Sequence, residues 1–144
     1  MFFENPRGQN FYMGSLSHGA DLLDELTDFC VKNSINTGWI NVIGAVSSYT
    51  VGYYNQEAKK YQDIKSSEKE TGYEIASCSG NVSVKDNNPF VHLHAVYTDS
   101  QGNAFGGHVM KGTKIFAAEF VISAFEGKGF VRSHDEQTGL FLWK

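Results

Sequence analysis

The chain has 144 residues, 41% apolar and 14% aromatic, with a formal net charge of −4. That length and composition suit one domain over residues 1–144 with its own core, and they exclude a disordered chain or one that needs disulfides to fold. The acidic balance and scattered lysines show no basic run of the kind that grips a phosphate backbone, which makes nucleic acid a doubtful partner.

Residues 1–6 carry no basic flank and no long apolar run, unlike a secretory signal. Residues 10–16 alternate and predict a strand. Ser17 is then placed to cap a helix over residues 19–33, with Asp21, Asp24 and Glu25 near its positive end. Leu22, Leu26, Phe29 and Cys30 form its apolar stripe, and Asn33-Ser34 and Gly38 end it. The pattern then turns to β. Strands are predicted over 39–46 and 48–55, with Gly44 as a bend. The polar stretch 55–69 predicts a loop or a short strand around Tyr61. A long strand follows over 72–84, then a turn at Asp86-Asn87-Asn88-Pro89. Strands over 90–98 and 104–110 flank a tight loop, and 114–125 reads as a central strand. The last of these is the longest apolar run, too short to span a bilayer and interrupted by Glu119, so no membrane is implied and a cytoplasmic location is expected. Residues 139–143 predict an edge strand. One helix followed by many short-linked strands gives an α+β domain, mainly an antiparallel sheet with one principal flanking helix. Cys30 and Cys78, far apart and in apolar or small surroundings, predict buried reduced thiols.

Three of the five histidines fall between residues 90 and 110. His92 and His94 are two apart on a strand, so they share a face, roughly 6–7 Å apart. Ser100-Gln101-Gly102 predicts a three-residue hairpin loop with Gly102 in the left-handed position. Asp99 then pairs with Asn103, and His108 falls directly opposite His94, with Cβ atoms roughly 4.5–5.5 Å apart. A two-residue loop would turn His108 away. Three imidazoles on one surface suit zinc, which takes nitrogen at about 2.0–2.1 Å and keeps one position open. Nickel, iron and copper also accept imidazole, so the cofactor is zinc or another divalent transition metal. Gly106-Gly107 predicts a close approach by another backbone, a bulge or a ligand; room beside a metal is one such reason.

Glu74 and Glu119 lie inside predicted strands. Each is a candidate to orient a ligand imidazole or to act as acid or base, and each is equally a solvent-facing carboxylate. No catalytic residue is assigned. His18 and His134 sit in polar surroundings and predict surface residues. The stretch 14–19 is only weakly similar to a phosphate-binding loop, and no Gly-x-Ser-x-Gly elbow is present.

Together, Gly19-Ala20-Asp21-Leu22-Leu23, Ile43-Gly44-Ala45-Val46, Gly52-Tyr53-Tyr54, Gly72-Tyr73-Glu74-Ile75 and Ser79-Gly80-Asn81-Val82 resemble the plant and prokaryote conserved domain over residues 14–126. His92-Leu93-His94 and Gly106-Gly107-His108-Val109 are the most specific part of the match. The resemblance is to the stand-alone prokaryotic metal-binding type. It implies an antiparallel sheet with a flanking helix, assembly as a homotrimer, and a zinc site at His92, His94 and His108. Plant members carry the domain after AT-hook DNA-binding motifs and generally lack the histidines; this chain keeps the histidines and has no Arg-Gly-Arg-Pro hook, only Pro6-Arg7-Gly8. The fold is also similar to that of acetolactate decarboxylase. Three functions follow as expectations: a metal-binding oligomeric regulator or sensor, a metal-dependent enzyme on a small carbonyl or carboxylate compound, and a DNA-binding regulator. A small-molecule ligand at the metal is an expected partner.

Overall fold

A computed structural model describes residues 7–66 and 71–143. The reading of residues 1–6 as no secretory signal therefore lies outside the described residues, as do Pro6 and most of the mixed charge run at 65–70. In chain order the elements are β1 (Arg7–Leu16), α1 (Leu22–Lys32), β2 (Gly38–Ser48), β3 (Thr50–Asn55), β4 (Lys60–Lys65), β5 (Tyr73–Lys85), β6 (Asn88–Thr98), β7 (Ala104–Val109), β8 (Lys114–Glu126), β9 (Arg132–His134) and β10 (Phe141–Trp143). The first eight strands make one sheet in the order β1-β8-β2-β5-β6-β7-β3-β4, and β9 and β10 make a separate ribbon. Every strand pairing within them is antiparallel. The α+β expectation holds: one helix flanks a mainly antiparallel sheet. No helix among the described residues is long and apolar enough to cross a membrane.

The helix begins later than Ser17 predicts. Residues 19–22 are tied to the start of β8: Gly19 N–H donates to the Ile115 carbonyl, Leu22 N–H to Thr113, and Ile115 N–H to Ala20. A helical turn cannot form until those bonds end. Asp21 becomes the N-cap, its Oδ1 accepting from Leu23 and Asp24 N–H at 3.1 and 3.3 Å. Ser17 instead donates its N–H and hydroxyl to the Glu25 carboxylate. Leu22, Leu26 and Cys30 are fully buried beneath the helix, and Phe29 meets Phe120 edge-on at 5.0 Å. Each such leucine contributes about 1.5–3 kcal/mol by leaving water.

One sheet face carries this core, including Ile40, Val42, Leu93, Tyr97 and Ile122. The register defines the other face. One row runs His108, His94, Ser79, Asn41, Val121, Met13; the next runs His92, Asn81, Trp39, Ser123, Phe11. The histidines therefore stand on the face away from α1, at the β6–β7 side. Gly44 takes φ 126° at a register shift in β2, as the bend predicted. Asp86 and Asn87, both at positive φ, form the two-residue turn between β5 and β6. Residues 60–65 are an exposed strand rather than a loop. The tail differs from expectation: residues 141–143 pair with β9 in a ribbon instead of edging the main sheet.

Candidate metal centre

The β6–β7 hairpin sets the site. Asp99 N–H donates to the Asn103 carbonyl at 3.1 Å and Gly102 N–H to the Asp99 carbonyl at 3.0 Å, closing a loop over residues 100–102. The Asp99 carboxylate accepts from Gln101 N–H, Asn103 N–H and the Asn103 amide, each at 2.9 Å, and Gly102 sits at φ 81°. Thr98 then faces Ala104, and the ladder brings His94 opposite His108. The glycines before His108 serve backbone approach: a Cβ on Gly106 would meet the Ala95 carbonyl oxygen at 2.5 Å, and one on Gly107 the Gly52 carbonyl oxygen at 2.8 Å.

The three rings converge. Centroids lie 5.1 Å apart for His92–His94, 4.8 Å for His92–His108 and 5.4 Å for His94–His108. One ring nitrogen from each lies within 4.8 Å of the others. A tetrahedral ion with bonds of about 2.0–2.1 Å spaces its donors about 3.4 Å apart, so these nitrogens would draw together by about 1 Å to hold one. Two further features fit such an ion. The His108 Nδ1 is buried with no hydrogen-bond partner, an orphan that a ligand would satisfy. Burial, with the charges of His108, Arg132 and His94, pushes His92 from 6.5 down to about 3. Burial, His94 and Arg132 push His108 down to about 4. Both rings are thus neutral at pH 7, the form a metal takes.

Glu74 and Glu119 are not brought to this point. Glu119 pairs with Ile43 and Ser15 on β8, three strands from β6 and so about 14 Å away. Glu74 pairs with Ala45 and Thr98, about 15 Å along β5 from Ser79, the partner of His94. Both are exposed. His18 and His134 are exposed as predicted. Residues 14–16 belong to β1 and so form no phosphate loop.

Sequence reasoning passed over Arg132. The C-terminal ribbon carries it to the histidines, where Nε donates to Ser83 Oγ at 2.7 Å, Nη1 to the Phe141 carbonyl at 2.9 Å and Nη2 to Asn81 Oδ1 at 3.0 Å. Nη2 also lies 3.2 Å from His92 Nδ1. A guanidinium only donates, so this Nδ1 accepts and the ring's hydrogen is on Nε2. The guanidinium sits over Phe90 and beside Trp143, 5.2 and 5.6 Å from their ring centres. Its one signal in the sequence is a lone basic residue in the run Phe130-Val131-Arg132. A cavity of about 340 Å³ opens here, lined by His92, His108, Arg132, Tyr61, Phe90 and Phe141 among others. Tyr61 leans over His108 at 5.0 Å.

Residues 3–126 match the Plants and Prokaryotes Conserved (PCC) domain. A metal-containing protein from Archaeoglobus fulgidus superposes with TM-score 0.93 at 37% identity, over 100% of this chain and 99% of that one. A plant- and prokaryote-conserved protein from Pyrococcus horikoshii gives 0.91 at 33%, over 100% and 97%. A putative DNA-binding protein from Bacteroides thetaiotaomicron gives 0.85 at 27%, over 94% and 92%. Acetolactate decarboxylase from Bacillus subtilis shares the fold alone, with TM-score 0.53 at 15% identity over 90% of this chain and 57% of that one. Among curated proteins, a bifunctional GlmU protein of Synechococcus is 31% identical over 123 residues, 84% of this chain, which spans about a fifth of that protein's length.

Proposed function

The chain belongs to the Plants and Prokaryotes Conserved domain family, and within it we propose that this protein binds one divalent transition metal, zinc first, through His92, His94 and His108. The observation that carries this is the convergence of three ring nitrogens within 4.8 Å on one hairpin. Kinship with a metal-containing Archaeoglobus protein supports it. Three neutral imidazoles leave a tetrahedral ion one open position, where a bound ion supplies Lewis acidity toward an oxygen ligand. The protein acts as a metal-dependent receptor or regulator. No Asp or Glu is among the described residues lining the cavity, which favours binding over proton-transfer chemistry. Elemental analysis of tag-free protein loaded with zinc and then desalted tests the reading. About one metal per chain is expected; a ratio near zero would sink it.

A second reading, an enzyme acting on a small carbonyl or carboxylate compound, is favoured by one observation: the cavity reaches His92 and His108 directly. A screen of keto and hydroxy acids with the metal-loaded protein decides it. Assembly as a homotrimer is part of the proposal. Phe11, Met13, Trp39 and Ile43 are 66%, 79%, 47% and 63% exposed, all on the histidine face of the sheet, an apolar surface of the kind that self-association covers. Light scattering measures the mass directly. The Bacteroides relative's name suggests DNA; a chain of net charge −4 offers that reading little, and a binding titration at low salt checks it.

A further inference from the structure

We infer that the cavity beside the histidines is a site for a small carboxylate with an apolar body, and that metal loading switches it on through Arg132. This rests on the metal reading above and adds to it a ligand class and a coupling.

The Arg132 guanidinium carries five N–H groups. Three are anchored on fixed oxygens, those of Ser83, Phe141 and Asn81. The fourth points at His92 Nδ1, 3.2 Å away. The fifth, on Nη1, has no acceptor among the described residues and is directed by the same rigid fork. A neutral imidazole has one lone-pair nitrogen. If His92 gives Nδ1 to an ion, that lone pair is used; if it gives Nε2, the ring hydrogen must move to Nδ1. In either case Nδ1 no longer accepts from Arg132. Metal binding thus leaves a half-buried guanidinium N–H without an acceptor, beside a newly added cation. An anion satisfies both, accepting from Arg132 and neutralising the excess positive charge.

The surroundings select the kind of anion. Lys59, Lys60 and Lys85 join Arg132 in the lining, and none of the four is ion-paired among the described residues. The remaining walls are largely aromatic, with Phe90, Phe141 and Tyr61. A volume of about 340 Å³ is at the small end for ligand sites, roughly 300–1,000 Å³. A phosphate dianion would need polar walls to replace its hydration. A carboxylate carried on a ring or a branched chain presents its charge to Arg132 and its body to the aromatic walls. Arg132 lies on β9, so the device depends on the C-terminal ribbon folding back onto β5.

Cobalt(II) is the probe, since its visible absorption reports directly on ligands at a tetrahedral site. Cobalt-loaded protein is titrated with benzoate and, separately, with inorganic phosphate; metal-free protein is titrated with benzoate by calorimetry. The expected result is a saturable spectral change with benzoate, a weak one with phosphate, and benzoate affinity about tenfold or more higher with metal than without. Cobalt-loaded Arg132→Gln should lose about tenfold or more in benzoate affinity, with Arg132→Lys intermediate. Should Arg132→Gln fail to fold, Arg132→Lys and the wild-type comparison with and without metal still decide the matter. Equal benzoate affinity without metal, phosphate binding as well as benzoate, or a variant at position 132 that responds like the wild type overturns the inference while leaving the metal reading intact. Absence of any cobalt absorption in the wild type overturns both.

Discussion

His94→Ala is the most discriminating perturbation of the metal centre. His94 is exposed and its ring has no hydrogen bond among the described residues, so its loss should barely disturb the metal-free fold, within about 0.5 kcal/mol. Its effect on metal should be large, because two imidazoles chelate far less well than three. At free zinc one hundred times the dissociation constant, the wild type gains about 2.7 kcal/mol from mass action. For a chain of this size that raises the melting temperature by about 5–10 °C. If losing one ligand weakens affinity about a hundredfold, the same zinc concentration only equals the new dissociation constant, leaving RT ln 2, about 0.4 kcal/mol and about 1 °C. Thermal melts with EDTA and with zinc, for both proteins, give the four numbers needed. The reasoning is refuted if the variant keeps the full zinc-dependent rise, or if the wild type shows none.

Three further outcomes follow from the same structure. His92 and His108 are held below their ordinary value to about 3 and about 4, so below pH 6.5 the unfolded chain binds protons that the folded chain refuses; metal-free protein should lose about 2 kcal/mol between pH 7 and pH 5 by urea titration, after discounting for partial exposure, and the His92→Gln, His108→Gln double variant should flatten that slope. Burial pushes Cys30 and Cys78 up to about 12, leaving about one thiolate in ten thousand at pH 8, so a disulfide-exchange reagent should count two thiols only in denaturant; rapid reaction of the native protein would contradict this. Asp21→Ala removes a carboxylate that accepts from Leu23, Asp24 and, at 2.7 Å, Gly112, and should cost about 2–3 kcal/mol in denaturant unfolding, whereas a loss below about 0.5 kcal/mol would show the cap to be dispensable.

The histidine triangle was legible because every link in it is local. Side-chain alternation, a three-residue loop and Gly102 at φ 81° fix the face and register of His92, His94 and His108 within seventeen consecutive positions, 92 to 108. The helix stripe was legible for the same reason. What failed depended on distant partners. Ser17 looked like the cap because nothing in the sequence shows residues 19–22 bonded to the start of β8. Glu119 shares the histidine face of the sheet, as alternation allows. Alternation, however, gives the face and not the strand order, and β8 lies three strands from β6. Arg132 was passed over because a lone basic residue has no local pattern; only folding the ribbon back onto β5 places it against Asn81, Ser83 and His92.

That division of labour bears on what the site can do. The three histidines come from the β6–β7 hairpin, whose register follows local rules, and the Arg132 charge facing the cavity comes from the β9–β10 ribbon. The groups that line the cavity also limit its chemistry. His92 and His108 are neutral but are themselves the proposed ligands. Arg132 is a permanent cation. Burial raises the Tyr61 phenol, which therefore stays protonated at neutral pH and keeps a hydroxyl hydrogen to donate. No Asp or Glu is among the described lining residues, and Arg132 with Lys59, Lys60 and Lys85 gives the cavity wall its positive charge. Such a wall recognises an anion and stabilises charge that develops on oxygen.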